Sequence, residues 1–570
     1  MCGISGIINH SEAKSLIQKM NDSQTHRGPD AKGIYADEVN ALGHNRLSII
    51  DLSEQGNQPF YSSDKRYVLV FNGEVYNYRE LKAQLASSYQ FVTATDTEVV
   101  LAAWLRWGEQ CMDKFIGMFA FAILDTIEQK LFAARDRFGV KPFHYSVINN
   151  TFVFASEIKA IHATGLLKNK YNKAIWATYF VKGLYDFNNQ TFWNRINKLQ
   201  AGHMLVWQHN QITIKPWYNL TDKIYTDHRD AAEVEEELLS LLEDAVRLRF
   251  RADVPIAVCL SGGLDSSLLL ALIQKVKGKD FPIHAFTFYT GDNRYDELPW
   301  VEQMVKNTAV IHHACKLSVG EIPALAQKIA DHMDEPYGGI PTLGMSKVFE
   351  KAAELGIKVM LDGNGMDEGW AGYDYYRKAN QVDLNQGPVQ GATTIYSLES
   401  CLLDAFKKKA IQPATLQFHS DTLINLQLRD ILVSKIPRAM RFADRNSMAY
   451  SVELREPFLD HRIIELGLRQ PIEHKIKNGS GKYLVRKIAQ RLIPNQLSEA
   501  PKRAVQTPQR EWLANELKPW IESLLKHEEQ HDSNMFNGVK LKHVYADYCQ
   551  SLPDNSFYIW QYINARLHEE

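Results

Sequence analysis

A chain of 570 residues is longer than one hydrophobic core usually organises, and its length predicts two to four domains. Hydrophobic residues at 45%, charged residues at 23% and a net charge of −2 describe an ordinary globular protein, without the basic excess that would attract nucleic acid or an anionic membrane. The six cysteines are spread too widely for a disulfide framework, form no CxxC knuckle and suit a reducing compartment. Glu12 and Lys14 interrupt the amino end where a signal peptide would be apolar, and no stretch reaches the roughly 18 apolar residues of a membrane span. The expectation is a cytoplasmic protein.

The first element, MCGISGI, sets Cys2 directly behind Met1. Removal of Met1 would leave a thiol and an α-amine on one residue, titrating near roughly 8.5 and 8, a nucleophile with its own proton carrier. Cys2 equally fits a small buried strand residue. Short apolar stretches then predict strands at 2–8, 67–72, 117–125, 130–136 and 152–156, with helices at 78–86 and 96–108, the latter entered through Asp96, Thr97 and Glu98. HRGPD at 26–30 joins a cation to a glycine-proline turn, and HNRLSIID at 44–51 sets Arg46 ahead of an apolar strand. FNGEVYN at 71–77 reads as a turn in which the Asn72 amide and the Gly73 N–H could face an oxyanion, while Asp96 could accept a substrate amine. Each of these segments also fits a structural turn, an N-cap or a surface pair.

The polar run 219–232 reads as a linker. Beyond it come an amphipathic helix at 233–248, a strand at 255–260, a helix from Leu264 and strands at 284–289 and 358–363, an alternation typical of layered α/β domains. The last 170 residues read as mainly helical. Between strand and helix, SGGLDSS at 261–267 combines Gly262 and Gly263, which allow close approach, with hydroxyls and helix N–H groups that suit an anion. Asp265 would repel phosphate unless a divalent cation bridged them, which points to Mg²⁺. The stretch is neither GxxxxGK[ST] nor GxGxxG, and GSGK at 479–482 lacks the spacing and the following hydroxyl of a P-loop. A glycine turn capping a structural helix is the plain alternative.

The ordered set Cys2-Gly3-Ile4, His26 to Asp30, Arg46 to Ile49, Asn72-Gly73-Glu74 and Asp96 resembles the glutaminase domain of class II glutamine amidotransferases. That resemblance implies that Cys2 attacks the side-chain amide of glutamine, Arg46 pairs with its α-carboxylate, Asp96 with help from Glu74 binds its α-ammonium, and Asn72 with Gly73 forms the oxyanion hole. SGGLDSS resembles the pyrophosphate motif of ATP pyrophosphatases. Together with DGNGMDEGWAGY at 362–373, SVELREPFLD at 451–460 and GSGKYLVRK at 479–487, nearly the whole chain is similar to the glutamine-hydrolysing asparagine synthetase family.

The implied fold is mixed α+β and α/β, an N-terminal nucleophile αββα sandwich over 1–210 followed over 211–570 by an ATP pyrophosphatase-like parallel-sheet domain with a largely helical end. The implied chemistry is ATP-driven activation of a carboxylate, aspartate first, as an acyl-adenylate that ammonia then converts to an amide. Leu260, Ser261, Gly262, Gly263, Asp265, Ser266, Ser267, Phe288 and Gly363 would hold ATP or pyrophosphate, with Asp265 and Asp367 on Mg²⁺ and Lys482 countering charge at the reacting centre. A homodimer is compatible with the resemblance. Arg455, between Glu453 and Glu456, reads as a structural charge network.

One departure stands out. Bacterial members commonly show SGEGSDE where this chain has Asp362 to Glu368, so an amide, Asn364, replaces an expected carboxylate. An amide can position a nucleophile by hydrogen bonding but cannot act as a base at ordinary pH. Asn364, Glu368 and Tyr373 are the acceptor-side candidates. The alternative acceptor is another carboxylic acid, such as a sugar acid of surface-polysaccharide biosynthesis; a non-enzymatic scaffold would predict loss of one of the two motifs, and both are present.

Overall fold

The computed structural model describes residues 2–569 apart from 307, 382–396, 415, 503–505 and 532–533. Two six-stranded sheets come first. From edge to edge, one contains Asn197–Lys198, His144–Ile148, Thr151–Ala155, Gly3–Ile8, Ala41–Arg46 and Ala31–Ala36, and the other Gln211–Pro216, His203–Gln208, Lys130–Arg135, Gly117–Asp125, Tyr67–Val75 and Phe60–Tyr61. All their pairings are antiparallel. Ile4, Leu42, Val68, Val70, Ala120, Leu131, Phe152 and Phe154 form one apolar layer between the sheets. Helix Ala13–Ser23 covers the outer face of the first sheet, and Asp96–Trp107 lies on Tyr67–Val75 of the second. This is the expected αββα sandwich, in which each sheet buries one face on its partner and the other on helices.

Its elements are close to those read from the sequence, with two corrections. The segment read as the turn FNGEVYN is largely strand: Asn72 and Gly73 sit in Tyr67–Val75 opposite Ala120 and Phe119. Asn-Gly is a strong turn signal, but here it lies within a buried ladder. Arg46 does not precede a strand; it ends one, Ala41–Arg46.

The second half is built on a five-stranded parallel sheet in the order Ile311–Lys316, His284–Tyr289, Ile256–Cys259, Val359–Leu361 and Glu453–Arg455. The chain enters at the centre, adds strands to one side and then to the other. The loops after Ile256–Cys259 and Val359–Leu361 therefore part at the carboxyl end of the sheet, where open α/β sheets bind ligands. Helix Ala231–Arg249, capped by Asp230, and helix Leu264–Lys277 pack against one face through Leu238, Leu242, Leu268 and Leu272. Helices predominate in the region after 401, and a separate apolar cluster joins helix Lys173–Lys182 of the first half to Phe557–Leu567 at the end of the chain. Among the described residues no helix is long and apolar enough to cross a membrane.

Candidate active sites

Two pockets are lined by part of the residues singled out in the sequence; Asn72 stands beside the first, and Asp265, Asp367, Glu368, Tyr373 and Lys482 form a polar cluster that does not line the second. The first, of about 30 Å³, is lined by Cys2, Arg46, Gly73, Glu74 and Asp96 together with Leu47, Gln58 and Thr97. Cys2 enters from the start of the central strand Gly3–Ile8, whose pairing of Gly3 with Asn45 brings it beside Arg46. Asn72, Gly73 and Glu74 come from the other sheet, and Asp96 from the first turn of helix Asp96–Trp107. The Cys2 nitrogen, an amide here and the position of the α-amine in a chain without Met1, donates to Asn72 Oδ1 at 3.0 Å. That bond fixes Nδ2 as the outward donor of Asn72, and among the described residues this buried Nδ2 has no hydrogen-bond partner. A Cβ on Gly73 would lie 2.2 Å from the Met118 carbonyl oxygen, so only glycine fits its place in the ladder.

Charge in this pocket is arranged for a ligand. The Arg46 guanidinium donates to the Ser53 carbonyl at 2.6 Å, to Asn57 Oδ1 at 2.9 Å and to the Asp51 carbonyl, and it has no ion pair among the described residues. It is a cation held by neutral acceptors. Asp96 is buried, with Oδ2 accepting from the Val75 N–H at 2.9 Å. Burial and the nearby Glu453 push its carboxyl up to about 7, against the pull of that N–H and of Arg455. Burial and Asp96 raise Glu74 well above the usual range, although Arg455 lies 3.2 Å away, and Glu74 Oε2 has no hydrogen-bond partner among the described residues. Burial raises the Cys2 thiol, while the Leu47 N–H and Arg46 work against it.

The second pocket, a cavity of about 300 Å³, opens at the carboxyl end of the parallel sheet between Leu260, Ser261, Ser266, Phe288, Asp362 and Asn364. Gly262 adopts φ +69°, and a Cβ there would meet Trp300 at 2.8 Å. Gly263 caps helix Leu264–Lys277, so Asp265, Ser266 and Ser267 occupy its first turn, with Ser266 Oγ 3.0 Å from Ser261 Oγ. Gly363 packs against Asp265, where an added Cβ would come 3.3 Å from the Asp265 Cβ. Lys482, expected from the resemblance to counter charge at the reacting centre, is 3% exposed. Its Nζ lies 2.5 Å from Asp265 Oδ2 and 2.6 Å from Asp367 Oδ1. Lys502, unnoticed in the sequence because no motif surrounds it, also binds Asp367. Burial alone would raise Asp367, but the two ammonium groups hold it at about 2.

Beside this cluster, Tyr373 donates to Glu368 Oε1 at 2.6 Å, and burial with Asp367 pushes the Glu368 carboxyl up to about 7. Lys435 lies 5.1 Å from the centre of the Tyr373 ring, and burial brings its ammonium down to about 7. Asn364 stands apart from Glu368 and Tyr373: its Nδ2 donates to Asp362 Oδ2 at 2.9 Å and Glu456 Oε1 at 3.2 Å. No group of three or more His, Cys, Asp or Glu side chains poised for a metal occurs among the described residues.

HRGPD lies outside both pockets. Arg27, fully buried, donates to the Cys2 carbonyl at 3.0 Å, to Glu157 at 2.9 Å and to Asp444 at 2.9 Å, tying the first half to the second. Arg455 likewise reaches across, to Glu74 at 3.2 Å, while its own-side partner Glu453 lies at 2.6 Å. The Arg455–Glu453 pair matches the charge network read from the sequence, whereas the contacts of Arg27 with Asp444 and of Arg455 with Glu74 were not visible there, because those partners are hundreds of residues apart.

Comparison with known proteins matches the model of the glutamine amidotransferase domain to residues 1–218 and that of the asparagine synthase family to residues 237–569. Asparagine synthetase [glutamine-hydrolyzing] 1 of Bacillus subtilis is 29% identical over 98% of this chain and 95% of its own length. Asparagine synthetase [glutamine-hydrolyzing] 3 of the same organism is 30% identical over 87% of this chain and 85% of its own. Amidase chyE of Penicillium rubens is 28% identical over 93% and 92%.

Proposed function

Because the chain belongs to the asparagine synthase family, as an ATP-dependent glutamine amidotransferase of the ligase class, we propose that it hydrolyses glutamine at Cys2 and passes the ammonia to a carboxylic acid activated as an acyl-adenylate, with aspartate the first acceptor. The observation that carries the reading is the coexistence in one chain of a cysteine pocket with an unpartnered donor, Asn72 Nδ2, and a second cavity lined by Ser261 and Ser266, whose turn also carries Asp265 of the Asp265–Lys482–Asp367 cluster.

In the first pocket Arg46 binds the glutamine α-carboxylate, and Asp96 with Glu74 binds its α-ammonium. The Cys2 thiol attacks the side-chain carbonyl, the α-amine of a chain without Met1 carries the proton, and Asn72 Nδ2 with the Gly73 N–H takes the negative charge on the oxygen. Thioester formation releases ammonia, and hydrolysis returns glutamate. In the second pocket Ser261 to Ser267 bind the β- and γ-phosphates and the Leu260–Phe288 wall binds adenosine. Lys482 stabilises charge as the carboxylate attacks the α-phosphate and pyrophosphate leaves.

The residues present fit Mg²⁺: Asp265 Oδ1 is buried without a hydrogen-bond partner among the described residues, and two carboxylates leave the remaining positions to phosphate and water, the usual way Mg²⁺ is held. Asp265 and Asp367 would hold it, and it would neutralise the leaving pyrophosphate.

A second reading, amidation of another acid such as a sugar acid, is favoured by Asn364, an amide locked between two carboxyl groups where the related stretch carries glutamate. The deciding experiment supplies glutamine, ATP and Mg²⁺ with aspartate and a panel of hexuronic acids, and identifies by mass spectrometry which acid gains an amide as AMP and pyrophosphate accumulate. Turnover of aspartate alone supports asparagine synthesis. Turnover of a uronic acid without aspartate supports the second reading, and no ATP cleavage with any acid would sink both.

A further inference from the structure

Asn364 lines the cavity, but it is not the last polar group at that end. Behind it stands Glu456, which accepts from Asn364 Nδ2 through Oε1 at 3.2 Å. Glu456 is 4% exposed, and its Oε2 has no hydrogen-bond partner among the described residues. It directly follows strand Glu453–Arg455, whose alternate side chains face opposite ways. Leu454 lines the cavity, whereas Arg455 turns to Glu74 of the cysteine pocket. Glu456 therefore lies on the Leu454 side of the wall between the two sites, directly behind the cavity-lining Asn364.

We propose that Glu456 is a catalytic base of amide formation, its Oε2 taking the proton that the attacking ammonia gives up. The inference rests on the ammonia-transfer reading above. The ammonia lone pair forms the C–N bond at the acyl carbon, the bond from that carbon to the AMP oxygen breaks, and AMP leaves with the electron pair. The nitrogen, left with one hydrogen too many for an amide, loses it to Glu456, which returns it to solvent when the products depart. Asn364 cannot take that proton, but it holds Oε1 and leaves Oε2 for the nucleophile. The charged and titratable groups facing Glu456 are Asp362, Lys141 and Cys259. Burial and Asp362 raise its carboxyl well above the usual range, against the Asn364 hydrogen bonds and Lys141, which makes the carboxylate a better proton acceptor near neutral pH.

The test uses the full chain with Glu456→Gln and the acid that reacts best in the panel. Glutamine hydrolysis and acid-dependent exchange of labelled pyrophosphate into ATP are expected to stay within about threefold of the unaltered protein. Amide formation from glutamine and from added ammonium should both fall roughly 100-fold or more, the scale of a lost general base. Hydroxylamine, whose nitrogen sheds its proton more readily, should still give the hydroxamate with a far smaller loss. Glu456→Asp, which keeps a carboxylate one methylene back, should exceed the glutamine variant in amide formation. Amide formation from ammonium near the unaltered rate would overturn the inference, as would a parallel fall in pyrophosphate exchange, the mark of a merely structural role. If no acid supports exchange in the unaltered protein, the ammonia-transfer reading fails and takes the inference with it; if exchange is normal and only the variant results disagree, the inference alone falls.

Discussion

The Asp96 carboxyl enters the physiological range because burial and the nearby Glu453 raise it by more than the Val75 and Thr97 N–H groups and Arg455 lower it. A carboxyl that must be ionised to bind an ammonium gives a predictable pH response. Below about 7 Asp96 holds its proton in the free protein, so the KM for glutamine should rise as pH falls through 7, approaching tenfold per pH unit, while ammonium-driven synthesis does not share that step. Asp96→Asn should raise KM above pH 7, converge on the unaltered chain as pH falls below 7 and so flatten the profile; a KM that stays level from pH 8 to 5.5 in the unaltered chain would contradict the assignment. Cys2→Ala should abolish glutamate release yet leave amide formation from high ammonium, because Cys2 lies in the first pocket and not the second. Steady glutamate production by that variant, measured against a heat-killed control, would exclude Cys2 as the nucleophile.

At the level of elements, both sites depend on backbone packed too tightly for side chains. Gly372 is the sharpest case, since an added Cβ would fall 2.0 Å from Asp367 Oδ1 and 2.2 Å from Lys482 Cε. Gly372→Ala is expected to drive those two groups apart and reduce pyrophosphate exchange by at least tenfold, with glutamine hydrolysis retained; normal exchange would mean that the cluster tolerates displacement. Strands such as Gly117–Asp125 and His284–Tyr289 were legible in the sequence because their apolar runs are continuous. Glu453–Arg455 was not, because a three-residue strand of two charges and one leucine has no apolar period, and its place in the sheet comes from pairing with Val359–Leu361. Cys2, Arg46, Glu74 and Asp96 were all singled out and share one pocket, because their motifs survive as letters whatever the local backbone does. Lys502, Glu456 and Arg27 acquired their positions only through contacts made in the fold.

Across the whole molecule, the two halves are joined by charges that neither could bury alone. Arg27 meets Asp444 and Glu157, Arg445 reaches Glu157 at 2.9 Å, and Lys159 lies 3.3 Å from Asp334, nearly all of them buried. Breaking one member of such a network leaves an uncompensated charge, which typically costs about 3–5 kcal/mol. Since Arg27 also holds the Cys2 carbonyl, Arg27→Leu should lower the melting temperature by several degrees and release more glutamate than amide, where the proposed function expects the unaltered protein to release them in step. An unchanged melting point with a one-to-one product ratio would remove Arg27 from any part in joining the two reactions.

The strand Glu453–Arg455 has a further consequence for inheritance. It belongs by sequence to the second half, yet Arg455 on one side reaches Glu74 in the cysteine pocket while Leu454 on the other lines the second cavity. The seam between the two modules therefore does not coincide with the peptide segment that separates them in the sequence. A chimera that joined this amino-terminal half to a carboxyl-terminal half without an arginine at position 455 would leave the buried Glu74 without its ion-pair partner, so a substitution on one side of that contact calls for a matching one on the other.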